Sequence, residues 1–176
     1  GRSMRLITAV AACLLACAPA SAAPDDASEP FTRGDDGPSL IASAGRFVLV
    51  DQVVDPYLIG LQYRGAPRTG WSLRPGLGAD AGADDLWFVY ADVARDFALP
   101  RQWFVTLSFG GGWFANGERV GADFDLEFRS GIAVARQLAS GARLGLAGYH
   151  VSNGGLDRPN YGAEALVLFL ALPVRR

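Results

Sequence analysis

Apolar side chains alternate with small, polar or charged ones along most of the chain from about Ser39 onward. A period of two is that of a β-strand, whose successive side chains point to opposite faces. Clusters of Gly, Pro, Asp and Asn separate the alternating segments, so the sequence predicts an all-β fold. In the clearest segment, Phe124, Leu126 and Phe128 alternate with Asp123, Asp125, Glu127 and Arg129.

The number and composition of these segments favour one architecture. One face carries Trp, Phe, Tyr and Leu, and the other carries Gly, Ser and charged residues. The segment lengths are close to the roughly 9 to 11 residues that a tilted strand needs to cross a bilayer. We therefore predict an eight-stranded antiparallel transmembrane β-barrel of the outer-membrane type, with a polar lumen. The strands are expected near residues 40–50, 56–64, 70–80, 85–97, 102–114, 122–136, 141–152 and 162–172.

The N-terminus has the pattern of a secretory signal peptide. Met4-Arg5 is followed by an apolar run up to Ala18 and by the small residues Ala20-Ser21-Ala22, after which we predict cleavage. The apolar run is shorter than the roughly 20 residues of a membrane-spanning helix. Residues 1–22 are thus predicted to be upstream residues and signal peptide, 23–38 an acidic leader or disordered segment, and 39–176 the barrel domain.

Cysteine content and charge exclude several classes of protein. Cys13 and Cys17 both lie in the predicted signal peptide, so the mature chain is expected to have no disulfide. Leu14-Leu15-Ala16-Cys17 is only a loose match to a lipoprotein cleavage site. The net charge is −2 and the basic residues are not clustered, which argues against a nucleic-acid partner.

The one histidine stands near the end of the seventh predicted strand. His150 and Ser152 are two residues apart, so their side chains share a face, with about 7 Å between their Cα atoms. Arg143 falls on the opposite face, which we expect to be the lumen. The pair is therefore predicted to point outward, with the parity of Leu144, Leu146 and Gly148.

A carboxylate has the matching position on the eighth predicted strand. Glu164 shares its face with Leu166, Leu168, Leu170 and Leu172, and antiparallel pairing would bring it near His150. A hydroxyl needs a base to become a nucleophile, and the base works best when an acid orients it. After Ser152, Asn153 and the glycines 154–155 could hold an oxyanion.

These residues resemble the PagL-type lipid A 3-O-deacylases. The resemblance rests on His150-x-Ser152-Asn153-x-Gly155-Leu156, then Pro159-Asn160, then Glu164 at the family's spacing from the serine. It implies Ser152 as nucleophile, His150 as base and Glu164 as the residue that orients the histidine. It also implies an oxyanion hole from the Asn153 side chain and the Gly155 N–H, no metal or cofactor, and a motif position at Asn160 without an assigned role.

The resemblance further implies lipid A of lipopolysaccharide as substrate, in the bacterial outer membrane. If the N-terminus begins in the periplasm, odd-numbered strands run outward and the seventh strand ends at the outer leaflet. The position of the bond cleaved comes from the family alone. The sequence leaves open the acyl-chain length and whether the protein forms a homodimer.

Other readings stay open at this point. The chain could be a non-enzymatic structural or adhesive barrel, or a soluble lipocalin-like lipid-binding barrel with its apolar face inward. A lone histidine is often structural, and Ser152 to Gly155 could be an ordinary turn. Asp123, Asp125 and Glu127 could be a cation site, although lumen lining paired with Arg74, Arg95 or Arg143 suits them better. Interfacial anchoring is expected for Trp71, Trp87, Trp103 and Trp113.

Overall fold

Eight antiparallel strands close into a barrel in the order in which they follow along the chain. The computed structural model describes residues 37–48, 57–68, 70–83, 86–115, 126–156 and 162–174. The strands are β1 (Ser39–Val48), β2 (Tyr57–Arg64), β3 (Arg74–Gly82), β4 (Trp87–Leu99), β5 (Trp103–Ala115), β6 (Leu126–Gln137), β7 (Arg143–Ser152) and β8 (Ala163–Pro173). β1 pairs with β8, so the sheet has no open edge.

The predicted eight-stranded barrel is confirmed, and β3 begins later than expected; the predicted start of the sixth strand, 122–125, lies outside the described residues. β3 starts at Arg74 instead of residue 70, because the preceding residues form a turn. In that turn the Gly65 N–H donates to Pro75 O at 2.7 Å, and Arg68 and Leu73 exchange two backbone hydrogen bonds. Ser72 has a positive φ of 54°, which interrupts the extended backbone. The alternating pattern alone did not reveal this turn.

The apolar face of the alternating pattern lies on the outside of the barrel. The side chains there are exposed on every strand pair, for example Ile59, Leu77, Ile132 and Leu168. Trp87 and Trp113 are exposed near one rim, where β1, β3, β5 and β7 end; Trp71 is exposed near the other. We call the rim where β1, β3, β5 and β7 end the upper rim, and the opposite one the lower rim. An apolar outer surface excludes the lipocalin-like alternative, because such a barrel would turn that face inward.

Side chains fill the interior, and its composition changes along the barrel axis. Near the upper rim it is aromatic: the rings of Phe88 and Phe114 stack with centroids 4.6 Å apart, and Phe47 lies 6.0 Å from Phe114. Below this cluster, Asp92 accepts hydrogen bonds from Gln62 at 2.8 and 2.9 Å. The lumen therefore holds the predicted polar residues together with the upper aromatic cluster and further apolar side chains such as Ile41, Val167 and Phe169.

Among the described residues, the polar part of the lumen holds an ion pair between Arg129 and Asp92, 3.3 Å apart, and a second network around Asp96. Near the lower rim, Asp96 accepts from Arg74 at 2.9 Å and from Arg143 at 2.7 Å, which confirms both arginines as lumenal. Arg95 does not belong to this network: it lies on the outer face, 5.1 Å from the centre of the Phe97 ring, because its parity is opposite to that of Asp96. Glu127 is buried in the lumen, as predicted for lumen lining.

Several predictions fall on residues outside the described ranges. These are the signal peptide (1–22), the leader up to residue 36, Asp123, Asp125 and Asn160. Among the described residues, no helix is long and apolar enough to cross a membrane.

Candidate functional site

The strand register brings His150 and Glu164 together. The two residues are direct partners across β7 and β8. Nδ1 of His150 lies 2.7 Å from Oε1 of Glu164, with 49% of the histidine and 51% of the glutamate side chain exposed on the outer surface. Because Nδ1 is hydrogen-bonded to Glu164, Nε2 is the ring nitrogen that is left to accept a proton. The expected approach of the two strands is thus observed at the level of side-chain atoms.

Ser152 lies on the same outer face, two residues beyond His150, and is partly buried. Within the described part of the chain, no hydrogen bond joins Ser152 to His150. On the β6 side, Ser152 faces Phe128, whose ring stacks on that of Phe109 with centroids 6.2 Å apart. The serine therefore sits between an apolar aromatic pair and the imidazole, at the upper rim.

The two predicted oxyanion residues contact each other. Asn153 is buried, with the inward parity of β7, and its Oδ1 accepts a hydrogen bond from the Gly155 N–H at 2.8 Å. This bond orders the turn that follows Ser152, as Asn side chains commonly do. In this arrangement the Gly155 N–H is already bonded, so the assignment of Asn153 and Gly155 to an oxyanion hole remains a prediction.

Two glycines that the sequence did not single out also border the site. Gly162 precedes β8, and its backbone lies against the imidazole of His150. Gly148 has the outward parity of His150, and a Cβ there would meet only Ala165 O, at 4.0 Å. An open strip of surface therefore runs from His150 towards the middle of the barrel. No sequence signal distinguishes either glycine from the chain's many others.

No metal centre emerges from the described residues. They contain no group of three or more His, Cys, Asp or Glu side chains that could hold a metal ion. Of the acidic residues weighed as a cation site, only Glu127 is described, and it is buried in the lumen, away from the outer face that carries His150. The site thus consists of an imidazole held by a carboxylate beside an outward serine.

Comparisons with known proteins identify the family of the chain. Residues 59–173 match the family described as Lipid A 3-O-deacylase (PagL). The chain is 34% identical over 90 residues to the lipid A deacylase PagL of Pseudomonas aeruginosa, a match that covers 49% of this chain and 49% of that protein. The chain thus spans about half the length of this curated relative.

Solved structures show the same fold. The crystal structure of the outer membrane enzyme PagL matches with a TM-score of 0.57 and 22% identity, over 77% of this chain and 99% of that one. A de novo designed transmembrane β-barrel matches with a TM-score of 0.52 and 10% identity, over 77% and 95%. Because the family match runs from β2 to the end of β8 and includes the His150 and Glu164 strands, the chain belongs to the PagL family of lipid A 3-O-deacylases.

Proposed function

We propose that this protein is an outer-membrane serine esterase that hydrolyses the 3-O-linked acyl chain of lipid A, with Ser152 as nucleophile, His150 as base and Glu164 as the orienting acid. The observation that carries the proposal is the hydrogen bond of 2.7 Å between His150 and Glu164 on the outside of the barrel. Family membership supports the reaction class and the lipid A substrate.

The position of this pair is unusual for a barrel surface. The neighbouring outward residues of β8, such as Leu168 and Leu170, are apolar and exposed. Charged residues facing lipid are destabilising by about 2 to 4 kcal/mol at the bilayer midplane, and by about 0 to 1 kcal/mol near the interface. An imidazole and a carboxylate that pair with each other at the rim avoid most of this cost, and they stand where the ester bonds of a lipid would lie.

The proposed reaction assigns one step to each of these side chains. His150 Nε2 takes the proton of the Ser152 hydroxyl while Oγ attacks the ester carbonyl, and the imidazolium that forms is stabilised by Glu164. Collapse of the tetrahedral intermediate passes that proton to the departing 3-hydroxyl of lipid A and leaves an acyl-serine. A water molecule, deprotonated by His150, then releases the fatty acid and restores Ser152.

Two hydrogen bonds must change for this reaction to proceed. Ser152 and His150 are not bonded in this structure, and in the absence of substrate such catalytic contacts are often loose. The Gly155 N–H must exchange Asn153 Oδ1 for the oxyanion if it is to serve as a donor. A hydrogen bond between neutral groups contributes about 1 kcal/mol net, so this exchange is readily offset by a bond to a charged oxygen.

We further propose that the site faces the outer leaflet. On the lower rim, β4 and β5 are joined by only a three-residue turn, Pro100–Gln102. On the same rim, only residues 138–142 join β6 to β7. Outer-membrane barrels have short periplasmic turns and longer extracellular loops. The upper rim, which carries His150 and Ser152, would therefore lie in the lipopolysaccharide leaflet.

Mass spectrometry of lipid A from cells that express the chain tests the proposal. Loss of one hydroxyacyl group is expected with the wild type and not with Ser152→Ala. Heat-modifiable electrophoretic migration checks that both barrels fold. An unchanged spectrum with a correctly inserted wild-type barrel would refute the enzyme and favour the structural or adhesive alternative.

A further inference from the structure

We infer that Gly162 is a positioning residue, which keeps the His150 imidazole between Glu164 and Ser152. This inference rests on the proposed function, because it assigns a role within the same triad. Gly162 lies immediately before β8 and two residues before Glu164. It is thus held in place by the pairing of β8 with β7.

The backbone of Gly162 approaches the imidazole so closely that a side chain at this position would crowd the ring. A Cβ atom placed on Gly162 would lie 3.0 Å from Cε1 of His150 and 3.6 Å from Nε2. It would also lie 3.4 Å from the carbonyl oxygen of Val151. A contact of 3.0 Å between carbon atoms is well inside the optimal separation of about 3.5 to 4.0 Å, so the ring would have to move.

The conformation of Gly162 points to the same requirement. Its φ is +62°, in the left-handed region that favours glycine. Residues with a Cβ are disfavoured there, and relaxing φ to a negative value would shift the start of β8, which carries Glu164. The backbone conformation and the contact with the ring thus both favour glycine at this position.

The direction of the contact explains why it matters for the reaction. The imidazole is a rigid plane, in which Nδ1 is held by Glu164 while Cε1 and Nε2 face Gly162. If a Cβ displaces Cε1, then either Nδ1 leaves Glu164 or Nε2 turns away from Ser152. About half of the His150 side chain is exposed, so packing on the lipid side leaves the ring room to turn. Gly162 therefore acts on the base through steric contact on one edge.

Gly141 provides a matched control. It also has a positive φ, +85°, but it lies in the turn between β6 and β7 at the lower rim. A Cβ there would meet Pro173 Cγ at an ordinary 3.6 Å. Gly141→Ala thus introduces the same backbone strain without a contact to the imidazole.

The experiment compares the purified full-length wild type with Gly162→Ala, Gly141→Ala and Ser152→Ala in detergent micelles. The readouts are kcat and KM for lipid A deacylation, and the rate at which a fluorophosphonate probe labels Ser152. For Gly162→Ala we expect both kcat and the labelling rate to fall about 10- to 100-fold with KM within about threefold, the size expected for a small misplacement of a catalytic group. Gly141→Ala should stay within about twofold of the wild type. Heat-modifiable migration reports folding of each barrel.

A second variant keeps the test decisive if Gly162→Ala does not fold. Gly162→Asn tolerates the left-handed conformation but still places a Cβ against the ring, so it should fold and show the same loss. Labelling of Gly162→Ala or Gly162→Asn at the wild-type rate would overturn the inference, as would a change in KM alone. If the wild type itself neither deacylates lipid A nor reacts with the probe at Ser152, the proposed function fails first.

Discussion

From the hydrogen bond between His150 and Glu164 we predict how far kcat/KM falls in Glu164→Gln. The glutamine side chain has nearly the same shape, and its Oε1 can still accept a hydrogen bond from Nδ1–H, but the negative charge is lost. Hydrogen bonds to charged groups contribute about 1.5 to 3 kcal/mol, whereas exposed ion pairs contribute about 0.2 to 1 kcal/mol. The His150 and Glu164 side chains are about half exposed, at 49% and 51%. The loss of transition-state stabilisation should therefore fall between these two energy ranges.

An intermediate loss of about 1 to 2 kcal/mol corresponds to a decrease of about 5- to 30-fold in kcat/KM, since each 1.36 kcal/mol is a factor of ten. The assay is the initial rate of fatty-acid release from lipid A by purified enzyme in detergent micelles. Arg95→Gln is the matched control, because it removes another exposed charge from the outer face, near the opposite end of the barrel, and should leave the rate unchanged.

Two results would refute this reasoning. A decrease of less than about twofold would show that Glu164 does not assist the histidine. A decrease as complete as that of Ser152→Ala would show that the charge contributes far more than a half-exposed pair can. Heat-modifiable migration of each variant separates these outcomes from a loss of folded protein.

Three further predictions follow from other contacts. Asn153→Ala removes the acceptor of the Gly155 N–H and the proposed oxyanion amide, so kcat should fall about 10²- to 10³-fold; a loss below tenfold would leave Asn153 with turn formation only. Gly148→Leu fills the open strip below His150 and should slow deacylation of lipid A more than hydrolysis of a short-chain nitrophenyl ester; equal slowing of both substrates would contradict an acyl chain lying there. Arg129→Met leaves the buried Asp92 without its cation, 3.3 Å away, and removes the contact with the Tyr149 ring at 3.4 Å. In denaturant unfolding, the free energy of unfolding of this variant should fall by about 3 kcal/mol. This is the lower end for a broken buried ion pair, because Gln62 still donates a hydrogen bond to Asp92. An unchanged free energy of unfolding would show that the Arg129–Asp92 pair does not stabilise the barrel.

Parity along single strands was the reliable part of the sequence analysis. It predicted that His150, Ser152 and Glu164 point outward and that Arg143 points into the lumen, as the structure shows. Parity also predicts the lumenal position of Arg74 correctly. It places Arg95 on the outer face, so the suggestion that Arg95 is a lumenal partner was wrong because it went against parity. The start of β3 was missed, because apolar residues in a turn can continue the alternation of a strand by chance.

The sequence by itself determined the barrel, the face on which each chemical group stands, and the candidate triad, because a strand's period of two is a local property that ties side-chain direction to residue number. Only the tertiary structure decided the distances. The pairing of Val151 with Ala163 sets His150 opposite Glu164 and brings the backbone of Gly162 against the imidazole. The same structure turns the Asn153 side chain inward, onto the Gly155 N–H. Strand register and close backbone contacts depend on how separate strands pair. The alternation of residues within one strand does not determine that pairing.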